Sequence, residues 1–158
     1  MIKKIVLGLA VVFIILQFFR IDKSVPDVDP SKDFLSVYAP PTQVKTIIEE
    51  TCYDCHSYKT KYPWYSNIAP VSWWLKDHID HGRDELNFST WADYNTRRAD
   101  HKLEEAAEMV LSEEMPLPSY TYAHWDAKLS EDQKTAVSDW FEQLRAEMKP
   151  DTLSESDN

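Results

Sequence analysis

The segment Cys52-Tyr53-Asp54-Cys55-His56 contains both cysteines of the 158-residue chain and places a histidine directly after the second. Four chemistries use such a string. A thioredoxin-like redox pair needs a strand-helix-strand setting, and strand patterns are missing. A zinc site needs four ligands; these three are crowded and no second cysteine pair follows. A disulfide across two residues closes a tiny loop and stabilises little. Covalent attachment of a c-type haem uses all three residues in this order. The two thiols add to the two vinyl groups, whose spacing suits two intervening residues, and the following histidine is carried under the ring to the iron. The expected cofactor is one covalent haem c on Cys52 and Cys55, with His56 as the proximal iron ligand.

The sixth iron position then decides between electron transfer and binding chemistry. Met115 stands in "SEEMPLPSY", just past a helix end and directly before Pro116. A residue before proline is pushed out of helical geometry, and two prolines stiffen the loop, so Met115 is the expected distal ligand. His78 is the rival, because it sits mid-stripe on an apolar helix face and should point inward, to the distal pocket or to a propionate. Met148 continues the apolar face of the last helix and reads as packing, whereas Met109 lies off its stripe and should face solvent. His124 could approach the haem edge; His81 and His101 read as surface residues. Arg83 and Arg97 are candidates for pairing with propionates.

These side chains must be placed by helices. Glycine occurs only twice in the chain, against six Trp, eight Tyr and six Phe, and no long alternating strand pattern is present. Apolar stripes predict short helices over 43–51, 70–81, 101–114 and from Ser130 to Met148. Pro70 suits a first helical turn and Gly82 a helix stop. Ser130 with Gln133 three residues on forms a capping box. The aromatic segment "YKTKYPWYSNIAP" between helices is expected to be irregular. Many aromatic walls are what a large apolar macrocycle requires.

The first twenty residues form a separate object. Lys3 and Lys4 precede the run "IVLGLAVVFIILQFF", which ends at Arg20. No small-x-small cleavage site follows, so residues 1–20 are expected to be an uncleaved single-pass transmembrane anchor with its start in the cytoplasm. Residues 21–41, with four prolines and many charges, read as an extended tether. The haem domain is expected over 42–148, followed by a disordered tail over 149–158. The formal charge of -10 leaves no basic stripe for phosphates and argues against nucleic acid.

Taken together, C-x-x-C-H, a methionine-proline loop and a C-terminal helix with a tryptophan resemble class I c-type cytochromes. "CYDCHSYKTKYPWYSNIAPVSWWL", "HIDHGRDELNFSTW" and "MPLPSYTYAHWDAKLS" resemble, more closely, a small bacterial haem-binding domain family, over roughly residues 40–147. That resemblance implies one covalent haem and a location outside the cytoplasm, and the resemblance to class I cytochromes implies an all-α, cytochrome c-like domain with His56 and Met115 as the axial pair. The expected function is an electron carrier on the periplasmic side of the bacterial inner membrane, serving redox partner proteins there. The alternative is a haem-based sensor or peroxidase-like enzyme with an open distal site.

Overall fold

The architecture is given by a computed structural model that describes residues 1–148; the expected tail, 149–158, lies outside the described residues. Every regular element among those residues is helical. The first three are α1 (Ile2–Leu16), α2 (Phe34–Val37) and α3 (Thr42–Ile47). The chain then continues through a π-helical turn (Ile48–Cys52) into α4 (Tyr53–His56). After these come α5 (Val71–Glu85), α6 (Thr96–Leu111), α7 (Pro118–Ala123) and α8 (Glu131–Met148). Short 3-10 turns, including Trp64–Asn67 and Phe88–Asp93, fill the aromatic stretches between them.

The longest packing seam joins α6 and α8. Ala99, Leu103, Ala107 and Val110 form the buried stripe of α6, and Val137, Phe141 and Leu144 form that of α8. Their spacing puts each set on one helix face. The nearly buried Arg145 donates to Asp100 at 3.0 Å and to Glu142 at 2.7 Å, tying α8 to α6 through a charge cluster. Capping decides the helix starts. Ser130 and Gln133 exchange hydrogen bonds of 2.9 and 3.3 Å, the expected capping box. Asn95 accepts from the Arg98 amide at 2.9 Å and starts α6 five residues before the apolar stripe announces it.

Two expectations are corrected. The proline-rich segment 21–41 is not a tether along its whole length, because its second half belongs to the core. Phe34 is fully buried, with ring centroids 4.7 Å from Trp91, 4.9 Å from Phe88 and 5.5 Å from Trp140. Asp33 caps α2 through the Leu35 amide, accepts from the Tyr53 hydroxyl at 2.9 Å and pairs with Lys59 at 2.7 Å. A four-residue helix shows no period, so only its partners reveal it.

The second correction concerns the transmembrane helix expected over 1–20. α1 has 15 residues, which spans about 22 Å, against a hydrocarbon core of about 30 Å. Among the described residues no helix is long and apolar enough to cross a membrane. α1 ends because Gln17 turns its amide onto the backbone of Ala69, donating to its oxygen and accepting from its nitrogen, each at 3.0 Å. No residue of α1 is buried.

Candidate functional site

The Cys52–His56 turn is held between two helical arms. On its N-terminal side, the π-helical turn after α3 contains Cys52 as its last residue. Wide turns of this kind often occur at functional positions. On the C-terminal side, Ser57 is fully buried and extended; its hydroxyl donates to the Tyr53 carbonyl at 2.7 Å and accepts from the Lys59 amide at 2.9 Å. Arg83 of α5 closes the grip, with Nε donating to Ser57 O at 2.8 Å and Nη2 to Thr60 Oγ1 at 2.9 Å. The guanidinium also lies 5.2 Å from the Tyr58 ring centroid. Arg83 thus fastens the chain behind His56.

Gly82 allows α5 to come this close. A Cβ placed there would lie 3.2 Å from the Cys55 carbonyl oxygen and 3.5 Å from His56 Cε1. The helix does not stop at Gly82 as expected; it runs on to Glu85. The missing side chain serves a close approach between segments, a role invisible to local patterning.

His56 is oriented by that contact. Its Nδ1 lies 2.9 Å from Gly82 O and 3.1 Å from Leu86 O. Both partners are acceptors, so Nδ1 carries the proton and Nε2 is left with its lone pair. Burial pushes the imidazole pKa down, the carbonyl contacts opposing it only partly, so the ring is neutral, the form that binds a metal.

Beside His56 opens a cavity of about 310 Å³, walled by Cys52, Leu86, Phe88, Val110 and Phe141 and lined also by Met109 and Met115. Lys102 stands at its polar edge, 2.7 Å from Glu105 and 3.2 Å from Glu85. Met115 is placed by the turn that ends α6. Glu113 adopts the left-handed conformation (φ 64°), Met115 N donates back to Met109 O at 3.0 Å, and the buried Lys134 of α8 pairs with Glu113. Met109, expected to face solvent, is half-buried and lines the cavity. His81, expected at the surface, is exposed but borders the same cavity. Their signal was hidden because the cavity is wider than one helical stripe.

His78 is not brought to this cavity. It borders a second one, of about 190 Å³, on the Cys55 side of the turn with Tyr65, Trp74, Leu117 and Tyr120. The ring is half-exposed, bonded through Nδ1 to Trp74 O at 2.8 Å and packed on the Trp74 ring at 4.2 Å between centroids. The apolar stripe did not point it inward, because α5 is covered along only part of its length. His124 sits nearby, 2.6 Å from the Tyr65 hydroxyl and stacked on Tyr120. Tyr120 in turn donates to Asp54 at 3.0 Å. His101 is exposed beside Glu104 and Glu105. Met148 packs against the core, with the Tyr38 hydroxyl 3.7 Å from its sulfur.

Cys52 and Cys55 are not joined in a disulfide. Burial pushes the Cys52 thiol up to about 12 and the Cys55 thiol up to about 11, so both are neutral. Among the described residues no three His, Cys, Asp or Glu side chains are grouped to hold a metal ion, which leaves a zinc reading without its donors. A haem, by contrast, fits the donor set: the Cys52 thiol, an imidazole with an unclaimed Nε2 and two methionines line one apolar cavity, and the Cys55 thiol lines the second, across the turn.

The comparison with known families agrees with this chemistry. The model of the haem-binding domain family matches residues 11–143, and the chain belongs to that family. No curated protein and no solved structure matches the chain.

Proposed function

We propose that this haem-binding domain protein is a monohaem c-type cytochrome that carries electrons, with a class I-like axial pair. Cys52 and Cys55 would hold the haem covalently, and His56, through Nε2, and Met115 would bind its iron. The bound haem supplies a one-electron couple, and a methionine on the iron raises its potential. The residues of the chain do the rest. Gly82 and Leu86 keep the imidazole in one tautomer and one orientation, as partners of this kind do for metal-bound histidines. Leu86, Phe88, Val110 and Phe141 keep water out. Glu113 and Lys134 hold the Met115 turn in place. One observation carries the reading: the half-buried imidazole has Nδ1 occupied by two carbonyls, while Nε2 is unclaimed at a cavity that Met109 and Met115 also line.

On the same reading the exposed apolar helix α1 attaches the protein to the outer face of the bacterial inner membrane, where redox proteins of that membrane or of the periplasm are its partners. Haem c is attached outside the cytoplasm, and the exposed apolar side chains of α1, too short a run to cross, suit insertion into the outer leaflet.

The test is the spectrum of the purified oxidised protein together with haem extraction. Covalent attachment predicts that acid-acetone leaves the haem on the protein and that mass spectrometry finds one haem at Cys52 and Cys55. Methionine ligation predicts a low-spin iron with the weak long-wavelength band of thioether bonding. Free haem in the extract rejects the c-type reading. A high-spin iron that takes up carbon monoxide readily replaces the carrier with a sensor or enzyme.

A further inference from the structure

The root of α1 carries a polar crevice that the haem chemistry does not use. Gln17 clasps both backbone atoms of Ala69. The indole of Trp73 donates to Phe19 O at 2.8 Å. Lys23 Nζ donates to Ser66 Oγ at 2.8 Å and to Asn67 Oδ1 at 2.9 Å, and lies 4.8 Å from the Tyr62 ring centroid. These contacts fix the end of an uncovered apolar helix to the 3-10 turn Trp64–Asn67 and the first turn of α5. Between them is a space of about 230 Å³ bordered by Arg20, Lys23, Ser66, Asn67 and Ser72.

Three features of this place agree. Its charge is opposite to that of the molecule: two cations share one crevice in a chain of net charge -10, and among the described residues neither is paired with a carboxylate. The nearby Asp22 is turned onto Ser24, from whose amide and hydroxyl it accepts at 2.8 and 2.9 Å. Large apolar side chains surround the clasp in the open: Trp64 is 77% exposed, Trp74 47%, Val71 43% and Trp73 37%. Tryptophans with a polar handle at the end of an apolar helix, beside basic groups, are the arrangement found where a protein meets lipid headgroups.

We infer that this crevice binds the phosphate of an anionic phospholipid headgroup, with Arg20 and Lys23 facing the phosphate and α1 covered by acyl chains. The inference rests on the reading of α1 as a lipid anchor. It adds that the haem domain is not swung on a tether but held in one orientation at the membrane surface through the Gln17 clasp.

The test uses the full-length protein and vesicles of phosphatidylcholine, alone or mixed with phosphatidylglycerol. Wild type should prefer the phosphatidylglycerol vesicles. Arg20→Gln combined with Lys23→Gln should lose about 30-fold of that preference at low salt, from roughly fivefold per cation at an anionic surface, with binding to phosphatidylcholine unchanged. Arg20→Lys combined with Lys23→Arg should keep the preference, which separates charge from a folding defect. Equal preference in wild type and the Gln variant overturns the headgroup site and leaves the anchor standing. Failure to bind either vesicle overturns the anchor and the site with it. Binding of inorganic phosphate without vesicles, seen as chemical-shift changes at Arg20 and Lys23, also overturns the inference, because the crevice then takes free phosphate.

Discussion

The two cavities on either side of the Cys52–His56 turn are built from similar aromatic and aliphatic side chains, yet their polar atoms are in different states. On the Cys52 side the imidazole of His56 is half-buried, its Nδ1 is engaged by Gly82 and Leu86, and Nε2 is unclaimed at a cavity that Met109 and Met115 also line. On the Cys55 side the polar groups are bonded to one another or reach solvent. Tyr65 meets His124, Tyr120 meets Asp54, and His78 is half-exposed on Trp74. A ligand atom must be oriented, unprotonated and shielded from competing water, and only the first cavity combines these. Residue type alone would rank His78 with Met115; the state of the neighbouring polar groups separates them.

The comparison can be broken by substitution, beginning with the largest effect. Cys52→Ala and Cys55→Ala should each leave little protein with covalent haem, measured as the fraction carrying the haem mass. Normal attachment in both variants would remove the premise that the cavities flank a haem site. Next, Phe34→Ala should cost about 3–5 kcal/mol of stability in denaturant unfolding, the range for a fully buried Phe. A cost near zero would restore residues 30–38 to a tether.

The third prediction contrasts the cavities directly. Met115→Ala should lower the reduction potential and open the iron to carbon monoxide, whereas His78→Ala should leave potential and spin state as they are. Met109→Ala belongs to the same test, since its thioether shares the cavity. If it reproduces the loss and Met115→Ala does not, Met109 is the ligand. A smaller effect is expected at the contact that orients His56. Gly82→Ala should destabilise by about 1–3 kcal/mol, as overpacking does, because the new Cβ meets backbone at 3.2 Å. It should also shift the potential, which a purely structural defect elsewhere would not.

The smallest effect concerns the cavity edge. Lys102 holds the Glu105 carboxyl below its ordinary 4.5, its hydrogen bond being the leading cause. A depressed carboxylate contributes stability above that ordinary value and loses it as pH falls through the lowered one. Glu105→Gln should therefore flatten the acid limb of the stability profile slightly, and an unchanged limb would mean that the exposed pair contributes nothing.

Legibility in the sequence differed from element to element. The stripes of α6 and α8 and the Ser130–Gln133 box were readable because each depends on residues three or four apart, whose relation the helix itself sets. α2 was not, since four residues carry no period and Asp33 and Phe34 find their partners far along the chain. The start of α6 was missed because Asn95 precedes a polar first turn. Met109 was placed in solvent because a single-stripe argument assumes one flat neighbour, whereas the cavity wraps around α6. Gly82 was read as punctuation, although it serves a close approach between α5 and the turn.

What the sequence determined by itself is the chemistry of the Cys52-Tyr53-Asp54-Cys55-His56 string and the helical character of the chain, for both are properties of neighbours along the backbone. Tertiary structure decided which atoms can use that chemistry. The proton on His56 Nδ1 is held by carbonyls 26 and 30 residues away, the room for that contact is made by a glycine in another helix, and the cavity is closed by α6 and α8. None of these relations has a local pattern, because each is an approach between surfaces whose register is set only when the core packs.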